Sequence, residues 1–309
     1  MLSLLLLIIA ANGQTPKCRI LALAGGSDHG AYQAGGIIGL INSLPQGEAE
    51  WDVITGIGIG ALNGMMVSQS SKGSESVLAS NLLDFWKTFN TDLFYNHWPG
   101  WLVQGLLFES GLYNTKPMEK FISSTLKQDF KRILGVGATD LITGGYMYFN
   151  STTLPLDIMA VGILASAADQ GDFPIVPYKN YKLISGAIKY TVDLLRGITT
   201  CVNMGFDPED IIVDTVLAAC KAIDNEDPKK FNAVQNIRRS LEIMASDEQL
   251  SAVEMAKSTN PNVNFRTVIY PTRKFKTSFN PYDVSKRERK EMLEIGQEDA
   301  KKAVSKIVG

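Results

Sequence analysis

Histidine is almost missing from this 309-residue chain, which has only His29 and His97. His97 lies among Phe94, Tyr95, Trp98 and Trp101 and reads as a packed surface histidine. A Ser-His-Asp triad needs an imidazole to carry the serine proton, so it is poorly supported. Cysteine is scarce as well. Cys18, Cys201 and Cys220 match no metal-ligand spacing, so no metal and no cofactor are expected. An odd count allows one disulfide and one free thiol, an intermolecular bond, or three buried thiols. Cys18, just ahead of the first strand, is a reasonable partner for Cys201. An excess of basic charge is also lacking: 30 Lys and Arg face 32 Asp and Glu, for a net charge of −2. No basic stripe is present to bind nucleic acid, and a nucleic-acid partner is not expected. The run from Lys286 to Glu291 mixes signs and reads as the solvated face of a terminal helix.

Long apolar runs are missing too. The N-terminal stretch Leu4 to Ala11 is apolar but short for a membrane span. Ala11 and Gly13 are placed for signal-peptidase cleavage before Gln14. Residues 1–13 therefore read as a secretory signal peptide, and the expected location is secreted or the secretory lumen. Asn150-Ser151-Thr152, after the aromatic strand Tyr146 to Phe149, is an N-glycosylation sequon, with Asn150 the candidate acceptor.

What the chain does contain is an alternation of strand and helix patterns. Arg19–Ala24, Asp52–Thr55, Arg132–Asp140, Gly145–Phe149, Lys182–Ser185 and Asn264–Tyr270 read as strands, with Glu209–Leu217 a further candidate. Gly30–Ser43, Ile59–Ser68, Glu75–Phe89, Thr115–Leu126, Leu156–Ala167, Pro228–Met244 and Val284–Val304 read as helices. No repeat or long linker interrupts them, so residues 18–309 read as one domain with a C-terminal helical extension. The alternation predicts a three-layer α/β/α fold around a largely parallel central sheet. Phe94–Gly111 lacks clear periodicity. It reads either as a packed connection filling the core or as an apolar lid or interface loop, and the packed connection is the expectation.

The most informative stretch is Gly56-Ile57-Gly58-Ile59-Gly60-Ala61-Leu62-Asn63, between a short apolar strand and the small-residue start of a helix. A G-x-S-x-G turn in that context presents a nucleophilic serine. Here the serine position is Gly58, flanked by Gly56, Ile59 and Gly60. Upstream, Gly25-Gly26-Ser27-Asp28-His29-Gly30 follows a strand and opens a helix. Backbone amides in such a loop form an anion-binding nest, which in acyl transfer serves as an oxyanion hole. Farther along stand Ala165-Ser166-Ala167-Ala168-Asp169, then Phe173-Pro174, then Ser185-Gly186-Ala187.

These four stretches, in this order over Ile20 to Asn203, resemble the patatin-like phospholipase family. That family has a G-G-G-x-[KR]-G loop, a G-x-S-x-G elbow followed by A-L-N, an A-S-x-A…F-P stretch and a D-G-[GA] motif. The resemblance implies the patatin-like form of the α/β/α fold and lipid acyl hydrolysis by a serine–aspartate dyad without histidine. The serine slot here is Gly58 and the aspartate slot is Ser185. Ser27 stands at the third glycine of the loop, and His29 at its basic residue.

Serine and aspartate act as a unit, so losing the nucleophile removes nearly all covalent catalysis. The expectation is therefore a protein that is not an enzyme: a patatin-like pseudoenzyme with no intact catalytic residue and a structural, scaffolding or lipid-binding role. Two alternatives stay open. One is an active acyl hydrolase with a relocated nucleophile, Ser27 or Ser185, with Asp169 and Asp172 in a neighbouring segment. The other is a secreted lipid-binding or storage protein. The expected partners are a lipid or membrane surface, or a larger protein assembly.

Overall fold

The computed structural model describes residues 15–220, 229, 231–275 and 280–308; the apolar leader of residues 1–13 lies outside them. Eight strands form one sheet. They are β1 (Cys18–Leu23), β2 (Val53–Gly56), β3 (Ile133–Asp140), β4 (Tyr146–Asn150), β5 (Val176–Tyr178), β6 (Tyr181–Ser185), β7 (Ile211–Val216) and β8 (Asn264–Ile269). The order β3-β2-β1-β7-β8 is parallel throughout, while β4 and β6 pair antiparallel with β3 and β5 pairs antiparallel with β6. The sheet is largely parallel, as the alternating pattern predicts.

Central strands of such a sheet are buried on both faces. In β1 the two-residue period sends Leu21 and Leu23 into one core and Cys18, Ile20 and Ala22 into another. The first core is closed by α1 (Gly30–Ser43), α2 (Ile59–Ser68), α3 (Glu75–Thr88), α5 (Lys116–Thr125), α6 (Leu156–Ser166) and α9 (Lys286–Val308). The second is closed by α7 (Leu194–Asn203) and α8 (Ala233–Thr259). Helix α4 (Trp101–Phe108) belongs to neither core except through Gly105. A disulfide from Cys18 to Cys201 ties the start of β1 to α7. Cys220 stands outside the disulfide, and its Sγ donates to the Arg273 carbonyl oxygen at 3.2 Å.

Three elements depart from the sequence expectation. Helix α7 shows an apolar face, Leu194, Ile198 and Cys201, too short to stand out in the chain. Helix α8 begins after an Asn232/Gln235 capping box and runs well past the expected end at Met244. Phe94–Gly111 is not a packed connection throughout. Phe94 and Tyr95 are buried, but Trp101 to Phe108 form a helix whose apolar side chains mostly face water.

The register explains how distant segments meet. Along one edge of β3 lies β4. Along the other, β2 pairs as far as Val136, and past the end of β2 at Gly56 that edge is taken by β6 from Ala138 onward. The end of β6, Ser185, is thereby set over the turn where β2 leaves the sheet. Ligands of parallel sheets sit at these carboxyl ends. A hollow of about 400 Å³ lined by Asp52, Lys72, Asp129, Arg132 and Thr152 opens at the opposite end of the strands, away from this turn.

Candidate active site

The turn after β2 has the backbone of a nucleophile elbow. Gly58 sits at φ 59°, ψ −124°, a region that costs any residue with a Cβ. A Cβ at Gly56 would come 2.3 Å from the Gly60 carbonyl oxygen, and one at Gly60 would come 2.5 Å from the Leu23 carbonyl oxygen. These two glycines are demanded by close backbone approach. Gly58 is different: a Cβ there meets Gly25 Cα at 3.4 Å and the Ser166 carbonyl oxygen at 4.0 Å, which is ordinary contact. Space for a side chain exists where none is present.

Three further residues, two of them from the motifs, hold this turn. The Gly58 amide donates to Ser166 Oγ at 3.1 Å, which gives the serine after Ala165 its task. Asn63 donates to the Gly30 carbonyl and to Gln33 Oε1, and accepts from Trp86 Nε1, so it locks α2 against α1 and α3. Gln249 of α8 donates to the Gly25 carbonyl and accepts from the amides of Ala218 and Ala219. Nothing in the local sequence around Gln249 marks this role.

The glycine loop is not a free nest over its whole length. The Gly25 amide donates to the Thr191 carbonyl at 2.7 Å, so Gly25 anchors the loop rather than offering its N–H to a ligand. Glu248 braces the same point by accepting from the Thr191 amide, and burial pushes its carboxyl up to about 7. At the start of α2 the amides of Gly60 and Ala61 donate to the carbonyls of Ile57 and Gly58 at 2.8 and 3.0 Å, so they are committed within the turn.

The two candidate replacement nucleophiles fare differently. Ser185 is fully buried; its amide donates to the Ala168 carbonyl and its hydroxyl accepts from the Ala187 amide at 3.3 Å, capping its own turn. Its hydroxyl thus serves the turn that follows β6. Ser27 is only partly buried, and its backbone lies at φ 39°, a strained value for a non-glycine residue. Its side chain lies close enough to the Asp169 carboxyl to favour the charged form. Burial, and next the charge of Asp172, raise that carboxyl to about 7, while Ser27 pulls the other way. Tyr282, also at positive φ (59°), buries its ring against Phe173 and directs its hydroxyl towards Asp169 without a hydrogen bond of good geometry. Its amide donates to Asp28 Oδ1 at 2.5 Å.

Neither histidine takes part. His29 packs on Phe275, and burial lowers its pKa, so it is neutral at pH 7. The exposed His97 ring stacks on Trp101. Among the described residues no cluster of His, Cys, Asp or Glu is arranged to hold a metal ion. Asn150 ends β4, and its side-chain oxygen accepts from the amide and hydroxyl of Thr152 within the sequon turn.

Asp169 was legible only as a nearby acid, and Tyr282 carried no sequence signal. The structure brings both to Ser27 because the segment after α6 returns across the elbow through the Ser166 contact.

Comparison with known proteins adds to this geometry. The family model described as patatin-like phospholipase matches residues 21–196. The crystal structure of VipD from Legionella pneumophila is similar over 95% of this chain and 67% of that chain, with 12% identity and a TM-score of 0.48. No curated protein sequence matches at a significant level. The family match overturns the expectation of a protein that is not an enzyme, because the family it points to is one of phospholipases.

Proposed function

Because the chain belongs to the patatin-like phospholipase family, whose model covers more than half of it, we propose that it is a lipid acyl hydrolase in which Ser27 is the nucleophile and Asp169 its base. The approach of Ser27 to the Asp169 carboxyl carries this reading. A serine close to a carboxyl whose pKa is pushed up to about 7, at a strained backbone position beside the elbow, has the features of an activated nucleophile. Ser27 Oγ attacks the ester carbonyl as its proton passes to the Asp169 carboxylate. Protonated Asp169 then returns the proton to the departing alcohol. Water, deprotonated by the same carboxylate, releases the fatty acid and restores Ser27. The positive end of the α2 dipole, at the elbow, suits the developing oxyanion. Asp172, by its charge, keeps Asp169 basic enough to accept the proton.

A compartment that oxidises thiols fits the Cys18–Cys201 disulfide and the apolar leader, so secretion belongs to the same reading. The test is hydrolysis of short-chain esters and phospholipids by the purified protein, with Ser27→Ala and Asp169→Asn beside it. Labelling by a fluorophosphonate should map to the Ser27 peptide and vanish in Ser27→Ala. If hydrolysis stays at background and Ser27 is not labelled, the reading fails, and a lipid-holding or scaffolding role is what remains.

A further inference from the structure

Helix α4 breaks the rule that governs the other helices. Trp101, Val103, Leu106, Leu107 and Phe108 each leave 63–79% of their surface in water, and Leu102 adds to them. From Trp98 to Phe108 there is no charged side chain. Its inward contact is Gly105, where a Cβ would meet the Leu112 carbonyl oxygen at 2.5 Å. The ridge is nonetheless held in place. Trp98 Nε1 donates to the Gly111 carbonyl at 3.1 Å, and Gln104 both accepts from the Gly100 amide and donates to Glu109. The result is a fixed ridge of contiguous exposed apolar side chains, the kind of patch that marks an interaction site.

The chemistry of the ridge narrows what covers it. A protein interface has a polar rim and hydrogen bonds around its apolar centre. Here the polar side chain of the helix, Gln104, is already committed at both ends. A lipid surface deforms around a ridge and asks for no hydrogen bonds. Trp101, stacked on His97 at the start of the helix, is an amphipathic ring of the kind that settles at the headgroup boundary.

We propose that α4 anchors the protein shallowly in an uncharged or zwitterionic lipid surface. Eight residues are too few to span a bilayer, so the helix lies in the plane of the interface. The ridge is joined directly to the candidate site. Leu112 and Tyr113, just past α4, donate to the carbonyls of Gly171 and Asp172, and Gly111 packs against Phe173 and Pro174. Docking therefore brings the segment that carries Asp169 to the lipid. The hydrolase reading supplies what the docking is for; the docking itself is tested without turnover.

The test is co-sedimentation of the full chain with phosphatidylcholine vesicles at low and high salt, together with tryptophan fluorescence. The variant combines Leu106→Ser, Leu107→Ser and Phe108→Ser, all exposed positions, with its fold checked by circular dichroism and thermal unfolding. The wild type should bind equally at both salt levels and shift its emission to the blue, since no charge drives the contact. The variant should lose binding by more than about tenfold while hydrolysis of a water-soluble short-chain ester stays unchanged. A wild type that remains in the supernatant overturns the proposal, as does binding that needs anionic lipid and is lost in salt. A wild-type dimer dispersed by the variant would assign the ridge to a second copy and overturn it too. Vesicle binding that persists in Ser27→Ala, whatever the esterase result, separates this proposal from the catalytic one.

Discussion

Replacing Gly58 with serine is the sharpest test of the elbow. A side chain at φ 59°, ψ −124° costs of order 1–3 kcal/mol in backbone strain. Removing a glycine from the unfolded chain returns about 0.4–1 kcal/mol through lost unfolded-state entropy. The Cβ contacts of 3.4 and 4.0 Å require no neighbour to move. The net loss for Gly58→Ser should therefore be about 1–2 kcal/mol, a fall in Tm of a few degrees for a domain of this size. Gly56→Ala and Gly60→Ala are the contrast. Their Cβ atoms would lie 2.3 and 2.5 Å from backbone carbonyl oxygens that cannot swing aside, so each should cost more than about 4 kcal/mol or prevent folding. Thermal unfolding of the three variants beside the wild type reads the ranking. If Gly58→Ser is as damaging as the other two, the room at the elbow is not there. If Gly56→Ala is tolerated, the steric account of the turn is wrong.

Further outcomes follow from the same geometry. Ser27→Gly relieves a φ of 39° and should raise stability by about 1 kcal/mol while abolishing esterase activity; gained stability with activity intact would make Ser27 a filler. The esterase rate should rise with pH through about 7 and level off above, because the base must lose its proton; a rate flat from pH 5 to 9 would exclude Asp169 as base. For stability the sign is the reverse. The folded carboxyl holds its proton to a higher pH than the unfolded one, so its share of stability is full below the ordinary Asp range and fades as pH rises through about 7, a fade that Asp169→Asn should remove in pH-dependent urea unfolding. The Cys18–Cys201 bond closes a separation of 183 residues, so reduction should lower stability by about 2–5 kcal/mol in denaturant titrations with and without reductant.

The sequence was most legible where sterics leave one choice. Gly56 and Gly60 lie where backbone meets backbone, so the turn between β2 and α2 could be located from glycine spacing alone. Helices α1 and α2 begin and end as the small-residue pattern implies. Cys18 and Cys201 could be paired on paper because one sits at the start of a strand, though α7, which carries the other, was not foreseen. Contacts of high sequence separation were hidden. Gln249 reaches Gly25, and Tyr282 reaches Asp169, only because α8 and the segment before α9 fold back over the loop. Helix α4 misled in another way: a run of tryptophan, leucine and phenylalanine implies burial, and the structure leaves it in water.

The distribution of backbone strain gives the candidate site its coherence. Ser27 and Tyr282 are two of the four non-glycine residues at positive φ among the described residues, and both converge on the Asp169 carboxyl. Each such position costs of order 1–3 kcal/mol and lasts only where its surroundings hold it. The holders are visible. The Asp28 carboxylate takes the Tyr282 amide, Phe173 stacks on the Tyr282 ring, and the Gly25 anchor at Thr191 fixes the loop from which Ser27 projects. A serine and an aspartate that merely filled space would not need this bracing, because glycine at Ser27 would relax the loop and asparagine at Asp169 would end the cost of burying an acid. Strain concentrated on one serine–carboxyl contact, beside an elbow that has room but no nucleophile, is what a displaced catalytic pair would leave in the structure.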